Sequence, residues 1–167
     1  MLRKLLVVAL LALSVGAYAQ DLKIAHVNTQ EIFNVMPEVS AMETEIANMN
    51  KSFTDELKRM EDEFNKKYAE FVATGDSLSE NIRNIRLQEI QSLRERTENF
   101  YQHAQQQVQQ KQQELLIPIR KKITDAIKAV GDEQNYTYIF QEGNEMLYFS
   151  SGSIDATPLV KTKLGLK

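Results

Sequence analysis

The chain of 167 residues contains no cysteine and only two histidines, His26 and His103. Without cysteine there can be neither a disulfide framework nor a thiolate metal site. The two histidines lack the spacing of a metal-binding pair, and neither a nucleophile elbow nor a glycine-rich phosphate loop occurs. We therefore expect no enzyme, no cofactor and no metal centre, and we interpret both histidines as ordinary strand and helix residues.

The chain also has no excess of basic residues. The chain has 20 Lys and Arg against 23 Asp and Glu, a net charge of −3. Nucleic acids and anionic lipids bind basic surfaces, so neither class of partner is expected. After the first nineteen residues no run is apolar enough to cross a membrane.

The first residues have the form of a secretory signal peptide. Arg3 and Lys4 give a basic start, and residues 5–15 are almost entirely apolar. Ala17 and Ala19 then give the small-x-small pattern of a cleavage site, so we expect cleavage after Ala19. An uncleaved membrane anchor is the alternative, but the apolar run falls short of the ~20 residues that span a bilayer. No cysteine follows the run, which excludes a lipoprotein anchor. We therefore predict residues 1–19 to be a signal peptide and the mature protein to be secreted to the periplasm.

A long amphipathic helix is predicted over residues 38–73. Its apolar side chains recur about every 3.5 to 3.6 residues, which is typical of a coiled coil or a straight helix and excludes a strand. Pro37 suits the first helical position. The apolar stripe consists of Val39, Met42, Ile46, Met49, Phe53, Leu57, Met60, Phe64, Tyr68 and Phe71.

A second helix is predicted to begin at Ser77, because Ser77 and Glu80 have the spacing of a capping box. Its apolar stripe consists of Leu78, Ile82, Ile85, Leu93, Thr97, Phe100, Ala104, Val108, Leu115, Ile119, Ile123, Ile127 and Val130. Glu89 and Lys111 interrupt this stripe. Residues 102–113 include eight glutamines, for which a prion-like tract is the alternative to a solvated helix.

The break at Gly75-Asp76 forces the two helices to run antiparallel. Residues 37–117 are therefore predicted to form a helical hairpin with its tip near residues 74–77. Reflection of the chain about the break places Pro118 opposite Phe33, close to Pro37. We expect the two prolines to mark the base of the hairpin.

The remaining residues, 20–36 and 118–167, are predicted to form a small β-containing body. Residues 23–28 are expected to form one strand, residues 136–141 and 146–150 a β-hairpin, and residues 155–158 the start of a C-terminal helix. The fold class is α+β, mostly α. So small a body has little core and exposed strand edges, which favours an oligomer. The expected oligomerisation residues are Ile24, Val27, Tyr138, Phe140, Leu147 and Phe149.

Three segments together resemble the Skp/OmpH family of periplasmic chaperones. They are residues 23–28, residues 118–130, and the closing part with residues 136–139, Tyr148 and residues 155–157, where the family commonly has Asp-Ile-Thr instead of Asp-Ala-Thr. The resemblance covers residues 23–167. It implies a homotrimer in which helical hairpins project from a small β body around a central cavity. It also implies an ATP-independent holdase that binds unfolded outer-membrane proteins in that cavity.

Three apolar residues of the second helix lie off the predicted stripe and are candidate client contacts: Leu87, Ile90 and Tyr101. The alternative is that they broaden the hairpin contact or lie singly on the surface. The methionines of the first helix are adaptable residues, but packing within the hairpin is the favoured interpretation.

Two further interpretations bear on partners. The best-known family members are strongly basic, whereas residues 37–73 are net acidic, which argues against binding of lipopolysaccharide or membrane. The rival to a chaperone is a structural adaptor that binds one fixed envelope partner through its long helical hairpin.

Overall fold

The computed structural model of the protein describes residues 22–143 and 148–166. We label the strands and α-helices in chain order; a 3₁₀ turn, Gly75–Ser77, follows the second helix. The elements are β1 (Ile24–Val27), α1 (Thr29–Asn34), α2 (Pro37–Thr74), α3 (Glu80–Gln134), β2 (Tyr138–Gln141), β3 (Ile154–Asp155) and α4 (Thr157–Lys163). The mostly helical α+β class is as predicted.

The chain forms two compact units. The body unit contains residues 22–29 and 126–165, and the arm unit contains residues 30–125. The predicted arm, residues 37–117, lies within this arm unit. Pro118 does not end α3, which continues to Gln134. Within the described residues, no helix combines the length and the apolarity required to cross a bilayer.

The body unit contains a three-stranded parallel sheet in the order β2-β1-β3. Ile24 lies opposite Tyr138, and His26 lies between Phe140 of β2 and Asp155 of β3. The predicted hairpin is therefore wrong: β2 pairs with β1, and residues 148–150 are not in a strand. Residues 144–147, including Leu147, lie outside the described part of the chain. The aromatic composition predicts strands, but a partner on a distant part of the chain leaves no local signal.

The two faces of this sheet differ in burial. Residues that lie opposite each other in register share a face, so Ile24, His26, Tyr138 and Phe140 form the outer face. Ala25 and Val27 form the inner face and are almost completely buried. On the same inner face, a Cβ at Gly131 of α3 would lie at an ordinary contact distance, 3.5 Å, from Cδ1 of Ile139. α3 therefore packs against the inner face at this position.

The arm unit is the predicted antiparallel helical pair. The rings of Phe53 and Phe100 meet edge to face with centroids 5.8 Å apart. Glu45 pairs with Lys111 at 2.9 Å, and Glu38 pairs with Lys122. From the first pair to the second, the residue number falls along α2 and rises along α3, which shows that the two helices are antiparallel.

The tip of the arm differs from the prediction in one detail. Ser77 does not cap α3, because its hydroxyl donates a hydrogen bond to the carbonyl oxygen of Thr74 at 2.7 Å. The turn therefore includes Leu78 and Ser79, and α3 begins at Glu80. The wider turn shifts the register of the two helices. Lys111 pairs with Glu45 and Lys122 with Glu38, so Pro118, which lies between the two lysines in sequence, faces residues 38–45 and not Phe33.

Candidate functional site

An apolar patch covers the outer face of the body sheet. Ile24, Tyr138, Phe140 and Phe149 are each between 41% and 55% exposed. The rings of Tyr138 and Phe140 lie 6.1 Å apart, centroid to centroid. Contiguous exposed apolar surface of this kind is typical of an interaction site. Of the predicted oligomerisation residues, Val27 is not part of this patch, since it lies on the inner face and is 1% exposed.

A buried polar network lies beside the patch. His26, which is 6% exposed, places Nδ1 2.6 Å from Oε1 of Glu142. The other carboxylate oxygen of Glu142 accepts a hydrogen bond from Nδ2 of Asn28 at 3.0 Å. The loop residue Glu142 thus bridges two positions of the β1 region. A buried polar group without such partners would be costly, so the network stabilises the carboxyl ends of β1 and β2.

The same network contains a potential metal-ligand set. One ligand atom from each of His26, Glu142 and Asp155 lies within 4.8 Å of the others. These side chains already have hydrogen-bond partners: Oδ1 of Asp155 accepts a hydrogen bond from the backbone N–H of Thr157, the first residue of α4, at 2.8 Å. We interpret the cluster as structural, and the absence of a metal site stays a prediction. No sequence motif could reveal the cluster, because its members are far apart along the chain.

The predicted client contacts do not share one surface. Leu87 and Tyr101 are 39% and 48% exposed, but Ile90 is only 9% exposed and is buried in the helical seam. The seam of α3 begins with Ile90, Leu93 and Thr97, whereas Ile82 and Ile85 are exposed. The predicted exposure of Ile90 is therefore wrong. It was measured around the helix from Ile85, which lies off the seam.

Two charged residues that interrupt the predicted stripe make ion pairs between the helices of the arm. Lys67 lies 3.4 Å from Glu89, and its hydrogen bond lowers the pKa of that carboxyl. Lys111 pairs with Glu45, and this hydrogen bond raises the pKa of the Lys111 ammonium. Charges at these positions fix the register of a helical pair, as polar seam residues do in coiled coils.

The packed part of the seam agrees with the prediction. Val39 and Met42 of α2 are buried, and Leu93, Ala104 and Ile119 of α3 are buried as well. Met49 and Met60 are half-buried. The methionines of the stripe thus lie within the hairpin contact, which was the favoured interpretation.

Comparison with known proteins identifies the family. The sequence model of the family described as "Outer membrane protein (OmpH-like)" matches residues 23–164. The chain belongs to this family. It is 32% identical over 151 residues to the chaperone protein Skp of Photorhabdus laumondii, with 90% of each chain covered. It is 28% identical over 138 residues to Skp of Yersinia enterocolitica, covering 83% of this chain and 84% of that protein.

Comparison with solved structures also finds an OmpH-like fold. The chain superposes with a TM-score of 0.75 on a crystal structure described as an OmpH-like outer membrane chaperone of Caulobacter crescentus CB15, covering 89% of this chain and 88% of that one. At 13% identity this likeness concerns the fold alone. The curated relatives are named as chaperones and not as enzymes, which confirms the prediction that this OmpH-like chain has no catalytic role.

Proposed function

We propose that this protein is an ATP-independent holdase that keeps unfolded outer-membrane proteins from aggregating in the periplasm. The observation that carries the proposal is the match to the OmpH-like family over residues 23–164, whose curated relatives are Skp chaperones. A holdase binds many sequences and releases them without chemistry, which suits dispersed apolar contacts on a long arm. The proposed route to the periplasm is the signal peptide, with cleavage after Ala19.

The proposed assembly is a homotrimer held through the body unit. Its support is the outer face of the sheet, where Ile24, Tyr138, Phe140 and Phe149 leave large apolar side chains in water. Burial of this face against other copies would enlarge a core that is small for an independent unit. In such a trimer the arms of the three copies would surround the client.

The proposed client contacts are Leu87 and Tyr101. Both are large side chains with substantial exposure on α3, and neither is required to fill the seam. Ile90 is not included, because its side chain packs inside the arm. The acidic character of residues 37–73 supports protein clients over lipopolysaccharide or membrane as partners.

An aggregation assay on the mature protein, residues 20–167, tests this function. Two unrelated outer-membrane barrels are diluted from denaturant without ATP, and light scattering is followed with and without the protein. We expect suppression of scattering for both barrels at near-stoichiometric concentration. Suppression of neither barrel, together with saturable binding to one folded envelope protein, would instead support the adaptor.

A further inference from the structure

A groove with an apolar floor runs along the middle of the arm unit between α2 and α3. Its volume is about 390 Å³, within the range in which proteins bind small groups. Phe53, Leu57, Ala104 and Val108 form the apolar floor, and Tyr101 stands at its side with almost half of its surface exposed. The remaining lining residues are Asn50, Thr54, Gln105 and Gln109.

The lining of this groove contains no ionisable acid or base other than the tyrosine phenol. Other grooves on the arm are different: one includes Glu61, Arg94 and Glu98, and another includes Lys67, Glu89 and Arg96. The neutral rim combines Asn50 and Thr54 of α2 with Gln105 and Gln109 of the glutamine-rich segment. Gln105 and Gln109 are four residues apart and lie on the same side of α3, one turn above the other.

We propose that this groove docks extended, unpaired strand segments of an unfolded client, an inference that rests on the proposed holdase function. A strand that has not yet paired presents neutral N–H donors and C=O acceptors along its backbone. A primary amide offers two donors and an acceptor, so Asn50, Gln105 and Gln109 can satisfy both kinds of backbone group. An anionic lipid or a nucleic acid would require cations, which this lining lacks.

The floor complements the side chains of such a segment. Alternate residues of an extended strand point to one side, so an apolar side chain can enter the groove while the next one faces water. Phe53, Leu57 and Val108 provide the apolar contact, and Tyr101 provides an aromatic wall. Because no ionised group takes part, binding of a neutral segment is expected to change by less than about twofold with ionic strength.

Matched charge insertions test the site on the full mature chain. The test variant combines Gln105→Glu and Gln109→Glu, and the control combines Gln106→Glu and Gln110→Glu, which adds the same charge to the same exposed segment. The probe is a synthetic strand peptide without net charge, in which aromatic and neutral polar residues alternate. We expect about tenfold weaker peptide binding for the test variant, equivalent to about 1.4 kcal/mol, and little change for the control.

Three results would overturn the inference: equal binding by the two double variants, an altered native mass of the test variant, or no binding of the peptide by the wild type. An altered mass would assign the groove to contact between copies. The aggregation assay separates this inference from the function on which it rests. If the wild type and both variants suppress aggregation equally, only the groove proposal fails, whereas no suppression by the wild type removes both.

Discussion

Phe149 stacks on the buried imidazole of His26, with ring centroids 4.3 Å apart and an interplanar angle of 28°. Phe149 therefore covers the polar network of the sheet while its own outer surface remains exposed. The loop before β3 is thus held to β1 by a ring contact. Phe149 thus contributes both to the stability of the body unit and to the apolar face proposed for association.

Removal of the Phe149 ring is expected to destabilise the body unit. We predict that Phe149→Ala lowers the free energy of unfolding by about 1–3 kcal/mol, from lost apolar burial and lost ring stacking. Tyr148→Ala is the neighbouring control, because Tyr148 is 82% exposed and should cost far less. Equilibrium unfolding in urea, followed by near-ultraviolet circular dichroism, measures both. Equal costs for the two substitutions would contradict the stacking contact.

The different burial of Ile90, which is 9% exposed, and Leu87, which is 39% exposed, predicts different costs of truncation. Ile90→Ala should destabilise the arm by about 2–5 kcal/mol, as expected when a buried aliphatic side chain is removed. Leu87→Ala removes an exposed side chain, and we expect about 0.5 kcal/mol or less. Thermal unfolding followed by helical circular dichroism gives both values.

The same two variants, Leu87→Ala and Ile90→Ala, also distinguish a packing role from client contact. Leu87→Ala should weaken aggregation suppression at a temperature where its helicity equals that of the wild type. A larger loss of stability for Leu87→Ala than for Ile90→Ala would reverse our assignment of the seam.

The ion pair of Glu38 with Lys122 predicts a specific pH dependence. The hydrogen bond from Lys122 is the main cause that lowers the pKa of Glu38 below its ordinary value of 4.5. Because the folded pKa is the lower one, the pair stabilises the fold above pH 4.5, and this contribution is lost as the pH falls through the folded pKa. We expect about 0.2–1 kcal/mol at neutral pH, since both side chains are partly exposed.

Urea unfolding of the wild type, Glu38→Gln, Lys122→Met and the double variant measures this coupling as a double-mutant cycle. The coupling free energy should be present at neutral pH and absent at a pH well below the folded pKa of Glu38. A coupling of the same size at both pH values would contradict the assignment to this carboxylate.

Substitution of the outer face of the sheet should disrupt the assembly without unfolding the arm. We predict that Tyr138→Ser combined with Phe140→Ser shifts the native mass from oligomer to monomer while helical circular dichroism is retained. Tyr68→Ser is the control on the arm, where the tyrosine is also about half exposed. Light scattering coupled to size exclusion measures the masses. An unchanged mass for the double variant would show that this face is not the interface.

The helical part of the fold could be predicted because apolar residues recur at helical spacing along each helix. Val39, Met42 and Leu93 are seam residues in both the sequence pattern and the structure. The register could not be predicted to the residue, because the turn after Thr74 is wider than its capping pattern indicates. Because of that difference, Pro118 does not lie opposite Phe33 as predicted.

The body and its sites were harder to predict, because their contacts join distant parts of the chain. Aromatic residues correctly indicated β2, but its pairing with β1 depends on a connection that includes both long helices. The network of His26 with Glu142 and Asp155 has no local pattern at all. Ile90 was misplaced for a different reason: the predicted stripe includes Ile82 and Ile85, which are exposed, whereas the packed seam of α3 begins at Ile90.

Native mass spectrometry of the mature protein mixed with an unfolded outer-membrane barrel tests the central claim most directly. The account predicts a free protein of three copies and a complex of three copies with the bound barrel, formed without ATP and with more than one unrelated barrel. A monomer that forms no complex with any unfolded barrel would contradict the account.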